Sequence, residues 1–166
     1  MDRIKQLVLP EGVDGALITS DINRRYFTGM KSSAGMLLIF KECAYLIIDF
    51  RYIEKARNTV KNCTVMEQEN LTEQINSLMK KHNAKSLAVE SMDMTLSRMS
   101  FLEKKFPDIE FIKSDELSNN IYDMRTIKSA EEIEKIHKAQ EIAEKAFDEI
   151  LGFISPGVTE REIALK

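Results

Sequence analysis

Two short segments concentrate side chains suited to binding rather than packing. In Asn23-Arg24-Arg25-Tyr26-Phe27-Thr28-Gly29, an amide, two guanidinium groups, a phenol and a hydroxyl crowd the connection between two apolar runs. From composition alone this is a solvated turn carrying one core aromatic. In Asp49-Phe50-Arg51-Tyr52, a cation falls in the first turn of a helix, where the macrodipole disfavours it by about 0.3–1 kcal/mol. An ion pair with Asp49 or Glu54 accounts for it. So does a carboxylate ligand, which Arg binds through two parallel N–H donors.

Other chemistries are poorly supplied. His82 and His137 are the only histidines, and neither has partners at metal-ligand spacing; no His-Glu-x-x-His run occurs. Glu141, four residues after His137, is a helix-face neighbour suited to an ordinary ion pair. No G-x-S-x-G elbow, P-loop or G-x-G-x-x-G is present. Asp14, Asp21, Glu42, Asp49 and Glu90 lie near the apolar runs, as carboxylates do in two-cation nucleases. Asp21 and Asp49 are read more simply as helix N-caps.

The elements that must position these groups follow from period and punctuation. Ile4, Leu7 and Val8 mark a short helix stopped by Pro10 and Gly12. Residues 15–19 form an apolar run of strand length, and Ser20 with Asp21 caps a helical turn that exits at Gly29. Met36 to Phe40 and Ala44 to Asp49, separated by three residues, predict an antiparallel hairpin. After Asp49 the period changes to that of a helix, with Tyr52, Ile53, Ala56 and Val60 on one face. Strands are expected at 63–66, 86–89 and 109–112. Helices are expected at 71–82, where Asn70 and Glu73 offer a capping box, around Leu96, Met99, Phe101 and Leu102, and at 115–124. Alternation of this kind predicts an α/β fold with a mixed β-sheet flanked by helices.

The last forty residues change character. Ser129 and Glu132 form a capping box ahead of a long helix whose apolar face runs Ile133, Ile136, Ala139, Ala143, Phe147, Ile150 and Ile154. Pro156-Gly157 breaks it, and Thr159 with Glu162 starts another helix. That start signal has only about two turns before Lys166, so a truncated chain is expected, with these helices opening a second domain; a natural end with a frayed tail is the alternative.

Composition sets the class. A chain of 166 residues buries roughly 70% of its unfolded surface, enough for a core without staples. Hydrophobic residues at 43% and charged residues at 31% are the balance of a globular protein. With 24 basic against 27 acidic residues the net charge is -3, which disfavours a general nucleic-acid binder. No apolar run approaches the ~20 residues of a membrane span, and residues 1–6 are too polar for a signal-peptide core. Cys43 and Cys63 are too few for a disulfide framework and read as free thiols of a reducing, cytoplasmic compartment.

Four strings in order carry a resemblance. Asn23-x-x-Tyr26-x-Thr28-Gly29 and Asp49-x-Arg51-Tyr52 resemble the signatures of the creatinase-type N-terminal domain. Arg125-x-x-Lys128-Ser129-x-Glu131-Glu132-Ile133 and Pro156-Gly157-x-Thr159-Glu160 are similar to the linker, first helix and following turn of a pita-bread catalytic domain. The sequence therefore resembles a Xaa-Pro peptidase, a prolidase or aminopeptidase P, along most of its length.

The resemblance implies a ribonuclease-H-like layout for residues 1–124, a linker at 125–128 and the start of a pita-bread domain at 129–166. It implies a cytoplasmic homodimer acting on proline-containing peptides. Two divalent cations, manganese or cobalt, would be held by two Asp, one His and two Glu beyond Lys166. No catalytic and no metal-binding residue is then expected in this chain, which alone should be inactive. Asn23, Tyr26, Thr28, Gly29, Asp49, Arg51 and Tyr52 are the site candidates. Tyr26, Thr28, Gly29 and the loop Lys31-Ser32-Ser33 would face the active-site cleft; Arg51 and Tyr52 would orient the segment or meet a substrate carboxylate. The structural alternative joins Asn23, Asp49 and Arg51 in one cluster holding the hairpin to the helix. A pita-bread-like binding module without catalysis, and a creatinase-like amidinohydrolase, are the other readings of the layout.

Overall fold

A computed structural model describes residues 2–166. The chain divides into two compact units, one ending at Thr126 and the other spanning Ile127–Lys166.

The first unit is built on six strands in the spatial order β4-β3-β2-β1-β5-β6. These are β1 (Gly15–Ile18), β2 (Met36–Phe40), β3 (Ala44–Ile48), β4 (Thr64–Glu67), β5 (Ser86–Val89) and β6 (Glu110–Ile112). Only β2 runs against the rest: it pairs antiparallel with β1 and β3, whereas β3–β4, β1–β5 and β5–β6 are parallel. The expected hairpin is β2–β3, closed by the Phe40 amide donating to the Cys43 carbonyl at 2.8 Å. Every residue of β1, β2, β3 and β5 is buried, as continuous apolar strands covered on both faces must be.

Alternation along the strands separates two cores. Ala16, Ile18, Leu37, Ile39, Leu46 and Ile48 face α1 (Arg3–Gln6), α2 (Asp21–Thr28), α3 (Phe50–Thr59) and α6 (Glu116–Thr126). Leu17, Leu38, Tyr45, Ile47, Leu87 and Val89 face α4 (Leu71–Lys81) and α5 (Leu96–Lys105). The result is the expected mixed sheet flanked by helices.

Several local expectations shift. Ser20, not Asp21, caps α2, its hydroxyl accepting from the Asn23 amide; Asp21 is the first helical residue and pairs with Arg24. At α4, Asn70 caps the Glu73 amide, but Gln74 is the side chain that reaches back, accepting from the Glu69 amide at 3.0 Å and donating to the Glu67 carbonyl at 2.7 Å. On α5 only Met99 and Leu102 are buried; Leu96 and Phe101 are exposed, because the helix meets the sheet along a narrow stripe. Arg125 and Thr126, expected in a linker, are the last residues of α6.

The second unit holds α7 (Ala130–Phe153) and α8 (Glu160–Leu165). Both begin with complete capping boxes, Ser129 with Glu132 and Thr159 with Glu162. Neither helix has a buried residue.

Candidate functional site

The C-terminal ends of β1, β3, β4 and β5 lie along one edge of the sheet, where open α/β sheets place their ligands. Thr19, Asp49, Gln68 and Glu90 are the first residues past those ends, and the segment 30–35 enters β2 from the same edge. Thr19, Arg24, Ser33, Gly35, Gln68 and Arg98 border a cleft of about 360 Å³ there. Gly35 has φ +119°, and a Cβ at this position would stand 3.0 Å from the Ile47 carbonyl, so the chain enters β2 in a path that favours glycine.

The candidates separate into an inner and an outer group. Asn23 is buried and belongs to the inner one. Its Nδ2 donates to Glu90 Oε1 at 2.7 Å and to Asp93 Oδ2 at 3.3 Å, and its Oδ1 accepts from Arg125 Nη1 at 3.0 Å. Glu90, fully buried, also accepts from the Thr19 amide at 2.6 Å, the Ser20 amide at 3.0 Å and the Ser20 hydroxyl at 2.9 Å. Four donors thus surround one carboxylate, which is how a buried charge is made tolerable. Arg24, 2% exposed, donates to the Thr19 and Ser32 carbonyls and to Asp21 Oδ1, anchoring the 30–35 segment to α2.

Tyr26 and Thr28 are also committed internally. The Tyr26 hydroxyl donates to the Met124 carbonyl at 2.9 Å, and the Arg3 guanidinium sits 4.2 Å from its ring centre. The Thr28 hydroxyl donates to the Arg24 carbonyl at 2.7 Å and accepts from the Met30 amide. Gly29 ends α2 at φ +72°, the left-handed conformation of a helix C-cap. These three residues serve the fold in this unit.

Asp49, Arg51 and Tyr52 form the outer group. Asp49 caps α3 by accepting from the Arg51 amide at 3.0 Å, and the Arg51 side chain turns back onto the same carboxylate, Nη2 to Oδ2 at 2.5 Å. The Arg51 bonds hold the Asp49 carboxyl below its ordinary range. Arg51 stays exposed, 5.5 Å from the Tyr52 ring centre, and the Tyr52 hydroxyl meets Ser33 Oγ at 2.8 Å, on the rim of the cleft. The bonds of Asn23 run to Glu90, Asp93 and Arg125, so the single cluster of Asn23 with Asp49 and Arg51 is replaced by two separate ones. Sequence reasoning missed Glu90 as the hub and Arg125 as its outer brace. A lone carboxylate directly after a four-residue buried strand was the available signal.

Among the described residues, no three His, Cys, Asp or Glu side chains gather in a group that could hold a metal ion. These residues do not supply the dinuclear centre that the resemblance implies. No described helix is long and apolar enough to cross a membrane.

A layered α/β domain with one reversed strand, its polar groups gathered at the parallel-strand ends, defines the class. Residues 1–127 match the creatinase/prolidase N-terminal domain, and the chain belongs to that family. It is 33% identical over 165 residues to an uncharacterized peptidase, YqhT, of Bacillus subtilis, covering 99% of this chain and 46% of that protein. It is 34% identical over 165 residues to a Xaa-Pro dipeptidase of Pyrococcus horikoshii, covering 99% of this chain and 45% of the relative. Among solved structures, a Xaa-Pro dipeptidase from Bacillus anthracis superposes with a TM-score of 0.85 at 33% identity, over 97% of this chain and 44% of that one. The chain thus spans a little under half the length of the curated relatives it matches.

Proposed function

We propose that the chain is the N-terminal part of a cytoplasmic, homodimeric Xaa-Pro peptidase that hydrolyses proline-containing dipeptides or short peptides. The observation that carries this reading is the likeness to the Bacillus anthracis Xaa-Pro dipeptidase across 97% of the chain, well beyond the N-terminal domain of residues 1–127. In this reading two manganese or cobalt ions, with their two Asp, one His and two Glu ligands, belong to polypeptide outside the 166 residues. The segment alone is then inactive.

The share of the work left to the described residues follows from the two clusters. The inner one, Asn23 with Glu90 and Arg125, fixes α2, the end of β5 and the end of α6 against one another. The outer one presents Arg51, Tyr52 and Ser33 at the rim of the cleft, where the guanidinium can meet a peptide carboxylate while Asp49 holds it in place. The test is to read the gene past codon 166. An open frame supplying Asp, Asp, His, Glu and Glu in that order supports the metallopeptidase. A frame without them leaves a binding module, and one keeping the His while losing most carboxylates leaves the amidinohydrolase.

A further inference from the structure

Three helices begin at the cleft beside the parallel-strand ends. Asp21 is the first residue of α2, Leu71 the first of α4, and Arg98 lies in the first turn of α5; all three line the cleft. Helix N-termini carry partial positive charge on their unsatisfied amides. Two guanidinium groups add to it. Arg24, 2% exposed, lines the same cleft, and its only carboxylate partner is the exposed Asp21. Its other bonds go to the Thr19 and Ser32 carbonyls, and its buried Nε has no acceptor among the described residues. Arg98 is exposed and, among the described residues, has no carboxylate partner. Arg51 and Arg98 are both cations in a first helical turn, against the dipole, but Arg51 is answered by Asp49 and Arg98 by no carboxylate. Among the described residues, Asp21 is the only acidic group lining the cleft, against two arginines, and much of the remaining wall is apolar, with Met36, Leu71 and Leu102.

We propose that this cleft binds a small organic monocarboxylate with an apolar body, its carboxylate taken by the Arg98 guanidinium. The planar fork of Arg98 offers two parallel N–H donors to such a group. The amide ends of α4 and α5 and the buried charge of Arg24 draw the same anion, since a cleft focuses the field of its walls. The apolar body covers Met36, Leu71 and Leu102. A volume of about 360 Å³ lies at the small end of ligand sites and suits a body of a few carbons. A phosphate ester fits less well: its second charge finds no second unpaired guanidinium, and it leaves the apolar wall uncovered. The site lies wholly within the first unit and does not depend on a peptidase domain following it.

The test titrates 4-methylpentanoate into the 166-residue chain, followed by calorimetry and by backbone amide chemical shifts. The expected result is saturable one-to-one binding with a Kd of about 1 mM or tighter, with shifts centred on Gly35, Gln68 and Arg98. The neutral 4-methylpentanamide, and acetate, which lacks the apolar body, should each bind at least about tenfold more weakly. R98Q, at an exposed position, should weaken binding about tenfold or more, while K104Q, which removes a charge from the other end of α5, leaves it unchanged. If R98Q does not fold, as read by circular dichroism, Q68E, which sets a carboxylate in the wall, is read for the same loss. Alanyl-leucine binding more tightly than 4-methylpentanoate would put the carboxylate on a peptide C-terminus, and weaker binding would put it on a free acid; both uphold the site. Absence of saturable binding, equal binding of the amide or of inorganic phosphate, an unchanged Kd in folded R98Q, or an equal loss in K104Q would each overturn the proposal.

Discussion

The side-chain amide of Asn23 donates to Glu90 Oε1 over 2.7 Å, tying α2 to the end of β5 across 67 residues of sequence. Glu90 is fully buried and takes three further donors from Thr19 and Ser20, so each polar group there answers another. Truncation of one member leaves a buried charge short of a partner. Asn23→Ala is expected to destabilise the first unit by about 1–3 kcal/mol, and Glu90→Gln by about 3 kcal/mol, since its amide nitrogen would face other donors. Denaturant titration followed by circular dichroism checks both, and a loss below about 0.5 kcal/mol in either would contradict the network's role.

The inner and outer clusters should separate in kinetics. In the protein encoded by the complete gene, Asn23→Ala should lower the melting temperature while leaving kcat and KM per folded molecule unchanged. Arg51→Ala should do the reverse: it removes an exposed ion pair, so the melting temperature moves by less than about 2 °C, while KM for a Xaa-Pro dipeptide rises about tenfold. Arg51→Ala with unchanged KM would return Arg51 to a purely structural role.

Acid should weaken the β1–β5 junction through Asp14. Its carboxylate accepts from the Lys85 amide at 2.7 Å and the Ser86 amide at 3.0 Å, which hold its pKa below the ordinary value, the Lys85 bond contributing most. A depressed folded-state pKa stabilises in full above the unfolded value of about 4, and that stabilisation is lost as pH falls through the folded value. The melting temperatures of the parent and of Asp14→Asn should therefore differ at pH 5–7 and converge below about pH 3. A constant difference across that range would show that the ionised carboxylate is not what matters.

Helix α7 leaves Ile133, Ile136, Phe147 and Ile154 exposed along one side. Such a stripe seeks cover. The 166-residue chain is expected to associate with a second copy as concentration rises, measured by sedimentation or light scattering. A monomer at high concentration would contradict that expectation, and Ile136→Glu should abolish the association without changing the melting of the first unit.

Legibility in the sequence followed range. Caps and breakers act within one turn of chain, so Ser129 with Glu132, Thr159 with Glu162 and the exit at Gly29 were readable from spacing alone. The β2–β3 hairpin was readable because three residues allow nothing but an antiparallel return. Glu90 with Asn23, and Asn23 with Arg125, lie 67 and 102 residues apart, and no local pattern announces them. Leu96 and Phe101 misled for the opposite reason: helical spacing marks an apolar face, but the sheet decides how wide a stripe it covers. A short string does not tell an inward Asn, such as Asn23, from an outward Arg, such as Arg51.

The measurement that bears most directly on the account is hydrolysis of alanyl-proline by the purified product of the complete gene, with manganese supplied. The expected result is release of free proline, abolished by a chelator, with alanyl-alanine cleaved far more slowly. A folded, manganese-loaded protein that leaves alanyl-proline intact, or cleaves both dipeptides equally, would contradict the assignment to Xaa-Pro peptidases.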